Sequence, residues 1–231
     1  MREPTAPTDP KLDAEDVRRA VALAVAALRD ADRDAQAWQA RAGELDWTCR
    51  ETLEHLADDL FTYAARFGLA EPPTKGPLPF RTGADRPGAP ENAVFADRSA
   101  APAGLLTLVE ACGGLLAAAL RSAPPGTLSY HVFGTSDPEG FAAMAIVETL
   151  VHTHDITQGL HLPWTPPADL CARTLDRLFP HVAPSSDPWR TLLWATGRSA
   201  LPDRPRLTRW RWYGAPRTAA DRPAAAGSAG T

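Results

Sequence analysis

The sequence predicts an all-α domain, a four-helix bundle with one long crossover and smaller additions. Three observations lead there. Four stretches combine helix-forming residues with helical apolar spacing and end at clear stop signals. One long Pro- and Gly-rich stretch, residues 71–103, separates the second from the third. Only two short segments, 127–133 and 207–213, read as strands, which allows at most a two-stranded β element.

Composition fits such a domain. The 231 residues are 44% hydrophobic and 23% charged, values that support a sizeable core. A formal net charge of -4 argues against nucleic acid as the main partner, since phosphate binding needs a basic surface. No run approaches the roughly 18 apolar residues expected of a membrane span. The opening MREPTAPTDPKLD lacks the apolar stretch of a secretory signal, so the expected location is the cytoplasm. Cys49, Cys112 and Cys171 are widely spaced with no CxxC, which reads as three buried thiols.

In chain order, residues 1–10 read as a disordered lead, 11–213 as a single domain and 214–231 as a disordered tail. The first helix is expected from about Lys11 to Ala42, where Pro and Gly are absent. Thr48 and Glu51 form a capping-box pattern ahead of a second helix, Cys49 to Phe67, which Gly68 stops. The 71–103 stretch is longer than loops in compact domains usually are, which suggests a lid. A third helix, about Ala103 to Arg121, contains Gly113-Gly114, a sign of close helix packing. Asp137-Pro138 starts a fourth, reaching about Gln158. Two more follow, at about 167–179 and 188–196. The alternating LTRWRWY at 207–213 is expected to pair with 127–133, with its aromatics inward and its arginines outward.

The chemistry concentrates on the fourth helix. FAAMAIVETLVHTHDITQG is apolar nearly all round, so the helix should be buried. A step of about 100° per residue places Glu148, His152 and Asp155 on the face that carries Phe141 and Met144. A buried carboxylate has to be protonated, paired or bound to a metal. Glu148 and His152, four apart, can meet at one point as zinc-type ligands or as a self-satisfied pair. Asp155, a turn further on, is placed to orient His152, to ligate, or to move a proton. His154 points away from them. On the second helix His55 flanks the apolar stripe, with Asp58 and Asp59 a turn on as supports for its ring or as solvated charges.

Two segments carry a family resemblance. DWTCRETLEHLADDL resembles the second helix of the DinB-like superfamily, in the branch containing mycothiol-dependent maleylpyruvate isomerases. ETLVHTHDITQGL resembles the fourth-helix motif of that branch. The resemblance implies a DinB-like bundle and a divalent metal site of His55, Glu148 and His152. Zinc is the expected ion, with nickel or manganese as the other options. It also implies a transferase or isomerase that uses a low-molecular-weight thiol such as mycothiol on a small electrophile, with Asp155, His154 or Tyr63 moving protons. The alternatives are a non-catalytic small-molecule or protein-binding bundle with a structural metal, and a metal-dependent hydrolase. Either would act as a monomer or homodimer.

Overall fold

The computed structural model describes residues 11–29, 31 and 35–217. The expected lead, 1–10, and most of the expected tail, 218–231, lie outside the described residues. Among the described residues six α-helices form: α1 (Ala14–Leu28), α2 (Cys49–Phe67), α3 (Pro102–Ser122), α4 (Pro138–Gly159), α5 (Ala168–Leu178) and α6 (Pro188–Ala195). No strand occurs among the described residues, so the architecture is all-α.

The first four helices form the bundle. α1 and α2 each pack against both α3 and α4, while α5 packs on α4 and on α6. α4 is buried on every face, with Phe141 to Val147 all inaccessible to solvent, as its near-continuous apolar sequence requires. The α2 capping box is present, with Thr48 Oγ1 accepting from Glu51 N–H and the Glu51 carboxylate accepting from Thr48 N–H. Gly113 lets α3 approach α1 closely, since a Cβ there would sit 2.8 Å from Val21 Cγ2. By length and mean hydropathy (1.8) α3 could cross a membrane, yet in this fold its apolar face packs on α1 and α2.

Two expectations are corrected. The first helix ends at Leu28 instead of running to Ala42. Trp38 is buried in a short 3-10 turn (Ala37–Gln39) and donates its indole N–H to Ala31 O, while Ala40 turns extended. The chain then folds back on itself, with Ala42 N–H donating to Trp47 O and Cys49 N–H to Ala40 O. Burying Trp38 and pairing this backbone outweighs a helix propensity of a few tenths of a kcal/mol per residue. The second correction concerns the β element. Residues 127–133 do not ladder with 207–213; Ser129 instead exchanges both backbone hydrogen bonds with Ser136 around a tight turn. The two segments still meet, through the rings of Phe133 and Trp212 (5.3 Å) and from Arg211 Nη2 to Phe133 O (2.9 Å). Their alternating pattern therefore reflects packing without a sheet, with Trp212 inward and Arg211 outward.

The crossover between α2 and α3 is strapped down. Asp58 Oδ1 accepts from the backbone N–H groups of Ala93 (2.9 Å) and Val94 (2.8 Å), and Glu54 Oε1 from Ala96 N–H (2.7 Å). Arg86 forks onto the Glu51 carboxylate, and Arg50 donates to Ala100 O and Asp97 O. Satisfied carboxylates on one flank of α2 thus fix an otherwise irregular chain.

Gly159, at the end of α4, accepts the 40–48 return. A Cβ there would lie 2.3 Å from Arg41 O and 2.6 Å from Cys49 Sγ. Gly159→Ala is expected to destabilise the protein by about 1–3 kcal/mol despite the better helix propensity of Ala, because backbone cannot yield as a flexible side chain does. Urea denaturation checks this.

Candidate metal centre

α2 and α4 face each other across the bundle, and each presents a histidine with a carboxylate four residues away. On α4, His152 Nε2 lies 3.1 Å from Glu148 Oε2. On α2, His55 Nε2 lies 3.6 Å from Asp59 Oδ2. The two imidazoles meet edge to face at 5.7 Å, and Trp47, from the turn before α2, packs on both at 4.9 and 6.0 Å. His55, Asp59 and His152 each offer a ligating atom, and these atoms lie within 4.8 Å of one another. Of the expected trio, His55 and His152 fall in this cluster together with Asp59; Glu148 stands beside it, in contact with His152.

Each imidazole is held from behind. Asn92 Oδ1 lies 2.8 Å from His55 Nδ1, which orients the ring with Nε2 toward the cluster. Asn92 is buried and its backbone pairs with Gly83, which anchors that contact in the crossover. Behind His152, Asp155 Oδ2 lies 3.3 Å from Nδ1. Asp155 is itself gripped by Arg198, at 2.9 Å from Nη2 and 3.4 Å from Nε. Histidine ligands of metals are commonly backed by a carboxylate or carbonyl in this way.

Charge balance explains the ionisation. Burial alone would lower the His152 pKa, but the Asp155 and Glu148 carboxylates against its ring raise it to about 9. Burial pushes Glu148 up, yet the His152 hydrogen bond together with the charges of His152, His55 and Arg198 holds its carboxyl below the usual range. Asp155 is lowered too, with His152 and Arg198 overcoming burial. Burial drives Asp59 up to about 7, with the neighbouring histidines opposing and the Glu148 and Asp58 carboxylates adding to the rise.

The cluster opens on a cavity of about 640 Å³, a size suited to a small molecule. Its walls come from Gly43, Glu44, Leu45 and Trp47 and from Thr196–Arg198, Arg206 and Trp210, with His154 and Gln158 from α4. An Arg206–Glu44 ion pair joins the two walls, and Arg198 stacks over Trp210 at 5.6 Å. The 71–103 crossover, expected as a lid, lines none of it. It supports His55 instead.

The remaining expected residues fall as follows. Asp58 holds the crossover. Tyr63 is buried with its hydroxyl 3.5 Å from His131 Nε2, outside the cavity lining. His154 lines the cavity with its ring against Trp189, and burial lowers its pKa. All three cysteines are buried, as expected, and burial raises Cys49 to about 11 and Cys171 to about 12. Sequence reasoning missed Asn92 and Arg198, which sit in irregular chain with no periodicity to mark them.

Residues 44–157, about half the chain, match the family described as the mycothiol maleylpyruvate isomerase N-terminal domain. They form a domain of that family. The family domain spans His55, Asp59, Glu148, His152 and Asp155, whereas Arg198, Arg206 and Trp210 lie beyond it. Comparison with curated proteins gives no match, and comparison with solved structures gives none. The residues present fit a divalent ion: nitrogen and oxygen donors converge, and Asp59 Oδ2 is buried without a hydrogen-bond donor.

Arg198→Ala leaves Asp155 buried without its counter-ion. The expected loss is about 3 kcal/mol, as for breaking one partner of a buried pair. Adding Asp155→Asn should recover part of that loss, which a double-mutant denaturation cycle measures.

Proposed function

We propose that the protein holds one divalent ion through His55, Glu148 and His152. In this reading the ion serves a reaction between a low-molecular-weight thiol of the mycothiol type and a small electrophile in the cavity. The outcome is group transfer or isomerisation, and the setting is the cytoplasm. The observation that carries the reading is that His55, Glu148 and His152, all within a mycothiol-related family domain, line a cavity of about 640 Å³.

The chain's own thiols argue for an outside sulfur. Cys49, Cys112 and Cys171 are buried, and burial raises the pKa of each, so none supplies a thiolate at neutral pH. A bound divalent ion supplies a Lewis acid that deprotonates a thiol it coordinates. Asn92 and Asp155 orient the two imidazoles, and Trp47 keeps water from one side of them. Asp155 is committed to Arg198, which suits a positioning role better than proton transfer. His154 is the proton carrier in this reading, since it lines the cavity and burial keeps its imidazole neutral, able to accept a proton.

The experiment is metal analysis by mass spectrometry of protein purified without chelators, beside His152→Ala. One ion per chain, lost in the variant, is expected, followed by turnover that requires added thiol. No ion after incubation with zinc, nickel and manganese would sink the reading.

Proton competition gives a second check. His152 holds its proton up to about pH 9, and that proton must leave before the ring can ligate. Apparent metal affinity is therefore expected to rise by about tenfold per pH unit between roughly pH 7 and 9 for one released proton. Chelator competition across that range measures the slope.

A further inference from the structure

We propose that Asp59 is a fourth protein ligand of the ion, an inference that rests on the reading of His55, Glu148 and His152 as the other three. The site then has a simple plan, in which each of two facing helices supplies one histidine and one carboxylate. α2 carries them as His55-x-x-x-Asp59 and α4 as Glu148-x-x-x-His152. Residues four apart on a helix present their side chains to one point.

Distances support this plan. Tetrahedral zinc with nitrogen and oxygen bonds of about 2.0–2.2 Å spaces its ligand atoms about 3.3–3.6 Å apart. His55 Nε2 and Asp59 Oδ2 are 3.6 Å apart, and His152 Nε2 and Glu148 Oε2 are 3.1 Å apart. The ligating atoms of His55, Asp59 and His152 fall within 4.8 Å of each other, so a small movement closes them on one ion.

Asp59 also lacks another explanation. Its neighbour Asp58 is accounted for by two backbone N–H donors from the crossover. The Asp59 side chain is 17% exposed, but its Oδ2 is shut off from solvent and accepts no hydrogen bond. A buried carboxylate oxygen without a donor is costly, and a cation removes the cost. Asp59 is absent from the cavity lining, which His55, Glu148 and His152 share. It therefore approaches the ion from the side opposite the cavity, leaving the cavity side open to a fifth ligand, an expansion that catalytic zinc allows. Two carboxylates also cancel the charge of a divalent ion, which makes the centre neutral before a thiol arrives.

The test uses the full chain loaded with zinc and the isosteric Asp59→Asn variant, with fold checked by circular dichroism. Competition against a chromophoric chelator is expected to show a loss of affinity of about 100-fold or more, beyond the 10–100-fold typical of outer-sphere partners. A smaller loss overturns the proposal. A crystal structure of the zinc-loaded wild type decides the matter without any variant. An Asp59 oxygen at about 2.0–2.2 Å from the ion is expected, and one beyond about 3 Å overturns it. His152→Ala separates the two readings. If that variant loses zinc while Asp59→Asn retains it, only the Asp59 assignment falls; if the wild type takes up no ion, the whole site falls.

Discussion

Charged groups inside an apolar bundle are the constraint on which the rest of this structure turns. α4 is enclosed by α1, α2 and α5, yet it carries Glu148, His152 and Asp155. Each buried ion costs several kcal/mol unless a neighbour answers it. The answers run in a chain from Arg198 to Asp155, from Asp155 to His152, and from His152 to Glu148. Arg198 is placed by the turn that closes α6, where its N–H donates to Leu193 O. The C-terminal part of the chain is thus tied to the centre by electrostatics as well as by the packing of Trp210 and Trp212.

The same constraint shapes α2. Its polar flank bears Glu51, Glu54, Asp58 and Asp59, and the first three are satisfied by the crossover through Arg86 and backbone N–H groups. Those bonds convert a Pro- and Gly-rich segment into a brace that delivers Asn92 to the back of His55. The donor cluster is therefore preorganised from two directions, by the crossover behind α2 and by Asp155 and Arg198 behind α4. Preorganised ligands suit a reactive centre, because a loose constellation loses the geometry that chemistry requires.

The family match and the cavity divide the chain in an informative way. The proposed ligands and the residue backing His152 lie within 44–157, while one whole wall of the cavity, Thr196–Arg198 with Arg206 and Trp210, lies outside it. The shared domain carries the donor cluster and one wall of the cavity; the segment after it supplies the other wall. In the proposed function, choice of electrophile and thiol belongs to that second part.

What the sequence determined by itself is what local physics controls. The α2 boundaries followed from Thr48, Glu51 and Gly68, because caps act within one helical turn. The start of α4 followed from Asp137-Pro138, and the placement of Glu148, His152 and Asp155 on one face from helical periodicity alone. Even the mirrored spacing of His55 with Asp59 and Glu148 with His152 was legible, although only the fold shows that the two pairs face each other. Tertiary structure decided the rest. It ended the first helix at Leu28 to bury Trp38, replaced an expected strand pair with ring packing, and turned an expected lid into a brace. It also brought Asn92 to His55 from 37 residues away and Arg198 to Asp155 from 43. Contacts at such separations leave no periodic trace in a sequence, since they depend on where irregular chain is carried by the packing of the helices it connects.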